Sequence, residues 1–304
     1  MEIIELLNYN EKRFETAIAL GNFDGIHLGH QELIKIVVAK SKELGIKSSL
    51  LLFKEHTKAI IDNSKPYMIT NNYQKYRIAK ELGVDIVYLI DFNSELMNLS
   101  PEEFVKDIIK DKMNGKLVIV GFDYRFGHKA SGDTNYLLEL SEKHKFDLII
   151  VDPVFNNEEV VSSTTIREMI SLGKMYDVSK LLGRPYCIIG TVIHGKNRGN
   201  KLGFPTANIK PVDNYIIPKN GVYFTNTIID NKRYISATNI GLNPTFNENI
   251  LKIETYILDF NGDLYDKSLE IEFIDFMRDD IKFANKEALI EQMEEDIKLI
   301  KNRH

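Results

Sequence analysis

Cysteine is nearly missing from this chain of 304 residues: Cys187 stands alone, so no internal disulfide can staple the fold and a secreted, disulfide-built scaffold is excluded. No apolar run approaches the roughly 20 residues needed to span a bilayer. The first ten residues set Glu2 and Glu5 among apolar neighbours and lack the basic-then-apolar order of a signal peptide. The cytoplasm is the expected compartment. Cationic excess is also lacking, because 39 Lys and Arg face 44 Asp and Glu for a net charge of -5. Non-specific binding to nucleic acid or to an anionic membrane needs clustered positive charge, so neither partner is expected. An anionic ligand must be held by local groups.

The composition, 43% hydrophobic and 27% charged, is that of an ordinary globular protein, and the length favours two domains. In the first half, strand-like and helix-like segments alternate: strands at 16–20, 48–53, 85–90, 116–120 and 147–151, helices at 28–44, 73–82, 101–113 and 135–143. Runs such as Leu117-Val118-Ile119-Val120 are apolar on both faces, as in a parallel sheet covered by helices on each side. After about Leu182 the pattern becomes short alternating strands (186–193, 222–229, 232–239, 251–258, 269–276) separated by Asn, Gly, Pro and Asp, which predicts an antiparallel sheet or barrel. The boundary falls near Gly183-Arg184-Pro185, giving domains of 1–182 and 183–304. A last helix over 285–300 carries Leu289, Met293, Ile297 and Ile300 on one stripe, with Asn285 as its N-cap.

Two stretches look built to hold ATP. In the first, Gly21-Asn22-Phe23-Asp24-Gly25 turns from a strand into a helix, where His27 and His30 share a face near the N-terminus. Helix dipole and backbone N–H groups favour an anion there, the glycines allow close approach, and the imidazoles can donate to a phosphoryl group. The other readings are surface histidines or a zinc pair, but no Cys, Glu or third His completes a metal cluster nearby. Ser163 and Thr164 supply hydroxyls at a helix start, with Arg167 one turn on. They suit the β- and γ-phosphates, or simply cap the helix. Between these elements, Gly121-Phe122-Asp123-Tyr124-Arg125-Phe126-Gly127 follows a buried strand. Its aromatics either line a flat heterocycle or plug the sheet end, while the Asp123 carboxylate has no packing reason to be there.

In the second stretch, the basic loop from Gly195 through Lys196, Arg198 and Lys201 to Gly203 runs into Phe204-Pro205-Thr206-Ala207-Asn208. The loop could wrap a triphosphate or be a solvated hairpin. The Thr206 hydroxyl and Asn208 carbonyl are neutral oxygen ligands suited to Mg2+ already bound to phosphate and water. Further on, alternation sends Leu251, Ile253 and Ile257 to one face of a strand and Glu254 to the other, beside Lys252 and Tyr256. Glu254 could take a proton from a substrate hydroxyl or be an ordinary cross-strand surface glutamate.

Taken in order, G-N-F-D-G-I-H-L-G-H (21–30), L-G-V-D (82–85), G-F-D-Y-R-F-G (121–127), S-S-T-T-I-R (162–167), L-L-G-R-P-Y (181–186), L-G-F-P-T-A-N (202–208), N-I-G-L-N-P-T-F (239–246) and E-T-Y-I-L-D-F (254–260) closely resemble the prokaryotic-type bifunctional riboflavin kinase/FAD synthetases over nearly the whole chain. The resemblance implies a Rossmann-like α/β nucleotidylyltransferase domain that adenylylates FMN to FAD, then a riboflavin kinase-like antiparallel β-barrel with a C-terminal helix that phosphorylates riboflavin to FMN. ATP is the co-substrate of both steps and Mg2+ the expected metal. By position, His27 and His30 would steady the α-phosphate, Ser163, Thr164 and Arg167 would hold the remaining phosphates, and Asp123 would lie by nucleotide and metal. Gly195, Lys201 and Gly203 would bind ATP in the kinase, Thr206 and Asn208 its magnesium, Glu254 would be the base, and Arg278 matches a loop near the flavin. Two alternatives remain: a riboflavin kinase with an inactive first domain, and a flavin-sensing regulator without turnover. Two departures from the family pattern are the proline-free Lys54-Glu55-His56-Thr57 and Asp266, where glycine commonly follows Leu-Tyr.

Overall fold

The structure, a computed structural model, describes residues 1–9, 13–54, 67–157, 159–194, 204–245 and 248–303. The chain forms two compact units, Met1–Ser163 and Thr164–His304. The first is built on six parallel strands: β1 (Glu2–Glu5), β2 (Thr16–Leu20), β3 (Lys47–Phe53), β4 (Ile86–Ile90), β5 (Gly115–Gly121) and β6 (Asp147–Val151). Their order in the sheet is β1-β4-β3-β2-β5-β6. Alternation along each strand feeds two cores. Ile18, Leu20, Val118, Val120 and Tyr88 face one way, with the helical segment Phe104–Lys112 and helix Thr134–His144 over them. Ala17, Ala19, Leu50, Leu52, Ile119 and Val87 face the other way, under helices Leu28–Leu44 and Asn72–Glu81. This is the doubly wound arrangement that apolar-on-both-faces strands predict.

From β2 the chain builds outward through β3 and β4 on one side, and then starts again on the other side with β5 and β6. The carboxyl ends of β2 and β5, paired through Leu20 and Val120, therefore flank the point where the strand order reverses. A crevice forms at such a point in open α/β sheets. Strand β1 was not foreseen from the sequence, because its Glu-Ile-Ile-Glu segment is short and only half apolar. A small hairpin, β7 (Phe155–Asn156) with β8 (Glu159–Val160), completes this unit's strands among the described residues.

The second unit opens with helices that begin at the end of the first unit's chain, Ser163–Ser171 and Met175–Leu182, the latter ending on a left-handed Gly183. It continues with β9 (Tyr186–Ile193), β10 (Thr206–Pro211), β11 (Gly221–Ile229), β12 (Lys232–Thr245), β13 (Glu248–Ile257) and β14 (Ser268–Arg278), closed into a barrel in the order β10-β13-β12-β11-β14-β9. Strand β10 is absent from the sequence reading because Thr-Ala-Asn-Ile-Lys-Pro carries turn-prone residues and a proline. The barrel interior is partly polar. Hydroxyls of Thr225, Thr227, Ser236, Thr238 and Thr255, all fully buried, bond one another at 2.8–3.0 Å. Each buried hydroxyl thus finds the partner it needs.

The C-terminal helix Lys286–Arg303 starts as expected: Oδ1 of Asn285 accepts the Ala288 N–H at 2.9 Å. Ile300 is fully buried, as the apolar stripe predicts. Asp296, also on this helix, is buried as well, and it receives Arg278 Nε at 2.9 Å and Nη2 at 2.7 Å in a two-pronged ion pair joining the end of β14 to the helix. Removing the carboxylate would leave a guanidinium only 19% exposed without its counter-charge. Asp296→Ala is therefore expected to cost about 3 kcal/mol of stability, the low end for breaking a buried pair. Urea unfolding followed on the second unit measures this, and a loss below about 1 kcal/mol would place the pair among ordinary surface salt bridges.

Candidate active sites

In the first unit, the turn after β2 is built by buried side chains held in an unusual backbone. Phe23 (φ 49°), Gly25 (φ 83°) and Ile26 (φ 37°) all lie in the left-handed region. That region is unfavourable for a bulky or β-branched residue. Burial offsets the strain, since Phe23 and Ile26 are fully buried in the core under the sheet. Asp24, 2% exposed, adds a clamp: its carboxylate accepts the Ile69 N–H at 3.0 Å and the Thr70 N–H at 3.2 Å. Gly25 N–H donates to Thr70 Oγ1 at 2.9 Å, and Ser163 Oγ donates to the Asp24 carbonyl at 2.9 Å. Of the proposed ATP-binding residues here, Asp24 thus has its carboxylate directed at backbone amides, and Phe23 packs in the core. Asn22 is exposed.

The turn delivers His27 as the N-cap of helix Leu28–Leu44, where its Nδ1 accepts the His30 N–H at 3.4 Å. A neutral His27 that accepts at Nδ1 carries its proton on Nε2, so the ring is a donor through that nitrogen. The two imidazoles stack with centroids 3.8 Å apart, and Phe23 lies against His30 at 5.2 Å. A Cβ at Gly29 would come within 3.2 Å of the His27 ring, a tight contact that an added side chain could keep only if the ring gave way by a few tenths of an ångström. His30 is half-buried, and its Nδ1 is buried without a hydrogen-bond partner among the described residues. Burial, then the neighbouring His27 and Lys75, hold its pKa well below that of a free histidine. The pair is therefore suited to neutral N–H donation toward an anion.

At the end of β5, Asp123 is exposed, and Gly121 leaves room for it: a Cβ there would sit 3.3 Å from Asp123 Oδ1. The two neighbouring phenylalanines have different environments. Phe126 is buried and stacks on Tyr124 at 5.7 Å, plugging the sheet, whereas Phe122 is 46% exposed beside Asp123. Thr164 is exposed and Arg167 half-buried on helix Ser163–Ser171.

In the barrel, strand register does what sequence spacing alone cannot. Asn208 on β10 lies opposite Glu254 on β13, which lies opposite Asn239 on β12. Residues directly opposite share a face with Cβ atoms about 5 Å apart. Thr206, two residues before Asn208, pairs with Tyr256 on that same face. The intervening Thr255 and the flanking Ile253 and Ile257 point inward and are buried. The acidic and amide groups therefore occupy the outer wall of the barrel, where Glu254, 24% exposed, is bound to Lys252 Nζ at 2.6 Å. Phe204 packs edge-on against Tyr256 at 5.4 Å, at the start of β10.

Asn239 is not marked by spacing in the sequence, because only the pairing of β12 with β13 sets it opposite Glu254. Its Oδ1 is buried with no hydrogen-bond partner among the described residues. Asp280 comes close too: a Cβ at Gly241 would lie 3.2 Å from its carboxylate. Arg278 has its guanidinium on Asp296 and the Asp279 carbonyl. Gly195, Lys201 and Gly203, with the rest of the basic loop and positions 55–57 of the first departure, lie outside the described residues. Asp266, the second departure, adopts φ 62°, a conformation glycine takes freely and aspartate tolerates, and its N–H still donates to Val192.

A sequence model of the FAD synthetase family matches residues 9–165, and one of the riboflavin kinase family matches residues 182–304. A Listeria monocytogenes protein described as bifunctional riboflavin kinase/FMN adenylyltransferase is 37% identical over 92% of this chain and 89% of its own. A Bacillus subtilis protein of the same description is 32% identical over 94% and 92%. A solved Streptococcus pneumoniae structure, described as a macrolide-efflux protein, superposes with a TM-score of 0.91 at 32% identity, covering 99% of this chain and 98% of that one. Among the described residues of this chain, no helix is long and apolar enough to cross a membrane. With both halves matched in order and relatives above 30% identity along nearly its whole length, this chain belongs to the bifunctional riboflavin kinase/FMN adenylyltransferase family.

Proposed function

We propose that the chain makes FAD from riboflavin in two ATP-dependent steps, with adenylyl transfer assigned to residues 1–182 and phosphoryl transfer to residues 183–304. The register that sets Glu254 between Asn208 and Asn239 is the observation that carries the kinase assignment, and the stacked His27–His30 pair at a helix start carries the other. In the first step, Glu254 accepts the proton of the terminal ribityl hydroxyl as its oxygen attacks the γ-phosphorus of ATP. The bond to the β-phosphate oxygen breaks, and ADP leaves. In the second, an oxygen of the FMN phosphate attacks the α-phosphorus of another ATP and pyrophosphate leaves. His27 and His30 donate N–H groups to the charge that builds on the α-phosphate, and Ser163, Thr164 and Arg167 hold the remaining phosphates.

Thr206 and Asn208 offer two neutral oxygens on one face of β10 beside Glu254, a donor set that fits Mg2+ bound mainly by phosphate and water. Bound Mg2+ would neutralise charge on the β- and γ-phosphates. Asp123 is the corresponding candidate at the adenylyl site, and Arg278 is the candidate flavin contact. A single cysteine and ATP as substrate of both reactions support a cytoplasmic enzyme.

Incubation with riboflavin, ATP and Mg2+, followed by chromatography, is expected to give FMN and then FAD. FMN alone would support a kinase with an inactive first domain, and neither product a flavin sensor. His27→Ala is expected to lower FAD formation about 100- to 1000-fold, as for loss of one preorganised donor, while FMN formation continues. Glu254→Ala is expected to lower FMN formation about 100- to 10,000-fold while FAD still forms from supplied FMN. Two folded variants that each lose both activities would show the division of labour to be wrong.

The lowered pKa of His30 also predicts a pH dependence of stability. The unfolded chain takes up this proton below about pH 6.5, whereas the folded chain resists it until a lower pH. Stability contributed by a neutral His30 is thus complete above about pH 6.5 and falls as the pH drops toward the folded pKa. Urea midpoints taken at about pH 7.5 and about pH 5.5 should fall further for the parent than for His30→Gln, and parallel losses would rule this out.

A further inference from the structure

Lys252 in the barrel is a charged group that the proposed chemistry has not used. Lys252 stands two residues before Glu254 on β13, hence on the same outer face, and its Nζ lies 2.6 Å from Glu254 Oε2. Across the strand pair its partner is Gly241, which has no side chain, so no residue on β12 stands between the lysine and the carboxylate. Glu254 is otherwise flanked by the uncharged Asn208 and Asn239. Other ionisable groups among the described residues of these strands include Tyr256 on β13, Lys210 two residues beyond Asn208 on β10, Arg233 toward the far end of β12, and Asp280 beside Gly241. Of these described neighbours, Lys252 alone forms an ion pair with Glu254.

We propose that Lys252 is the positioning residue of the kinase base: by holding Oε2 it fixes the carboxylate rotamer so that Oε1 faces the terminal hydroxyl of the ribityl chain. This rests on the reading of Glu254 as the base. A free glutamate on a strand samples several rotamers, and a charge-assisted bond at this length selects one. The ammonium is 39% exposed, so its value to the fold is small, as for other solvent-facing pairs. Its effect should instead appear in turnover, where misplacing a reacting group by about 1 Å costs on the order of 100-fold. Oε1 takes the hydroxyl proton as the new O–P bond forms and the bond to ADP breaks.

The test is steady-state riboflavin phosphorylation by the full-length chain carrying Lys252→Met, Lys252→Arg or Glu254→Gln, with melting temperature and FAD formation from supplied FMN as controls. Expected for Lys252→Met is a fall in kcat of about 3- to 5-fold, the largest bias that a solvent-facing pair gives a rotamer, with both KM values unchanged. Lys252→Arg should restore most of the rate, since it keeps a cationic donor in reach, and melting temperature and FAD formation should stay at parental values. A parental kcat in Lys252→Met, an Lys252→Arg as slow as Lys252→Met, or a raised KM for ATP at unchanged kcat would each overturn the proposal. The last outcome would make Lys252 a phosphate ligand. If Glu254→Gln phosphorylates riboflavin at the parental rate, the base assignment itself fails. If Glu254→Gln is inactive and Lys252→Met is not slowed, only the role of the lysine fails.

Discussion

The proposed kinase site depends on one cross-strand register, in which Asn208, Glu254 and Asn239 stand opposite one another on three neighbouring strands. Side chains alternate between faces, so a slip of one residue in β13 would send Glu254 into the barrel and turn Thr255 outward. The interior opposes such a slip. Thr255 bonds Thr238 at 3.0 Å within a chain of buried hydroxyls, and these would lose partners while an unpaired carboxylate entered their place. The hydrogen-bonded interior therefore fixes which side chains β13 presents outward, Glu254 among them.

The first unit uses a different device for the same end. Its β2 turn demands left-handed backbone at Phe23 and Ile26, which an isolated peptide would not hold. Two buried side chains and the Asp24 carboxylate, bonded to the amides of Ile69 and Thr70, hold it in place. The outcome is that His27 caps its helix and stacks on His30 at the carboxyl end of β2, next to the end of β5 that bears Asp123. Gly29 belongs to this device as well, because a Cβ there would crowd the His27 ring at 3.2 Å.

Much of this was legible in the residues. Apolar runs such as 117–120 announced a covered parallel sheet, and alternation at 251–258 placed Glu254 on the outer face, because both patterns report burial directly. Strands β1 and β10 were not legible, since a four-residue edge strand and a segment rich in turn formers are strands only by virtue of their partners. The same limit applied within the sites. Spacing put Asp24 among phosphate-binding residues, but its hydrogen bonds reach residues 45 and 46 positions away. Asn239 and the Arg278–Asp296 pair likewise depend on neighbours remote in sequence.

The strand order of the barrel has a consequence for how the molecule is born. β9 and β14, the first and last barrel strands along the chain, are hydrogen-bonded neighbours that form the closing seam. A ribosome has already delivered all six strands of the parallel sheet once Val151 has emerged, whereas the seam cannot shut until residues 268–278 are out. Because synthesis favours folding from the N-terminus, the part matched by the FAD synthetase family is free to fold well before the part matched by the riboflavin kinase family, the reverse of the order of the two proposed steps.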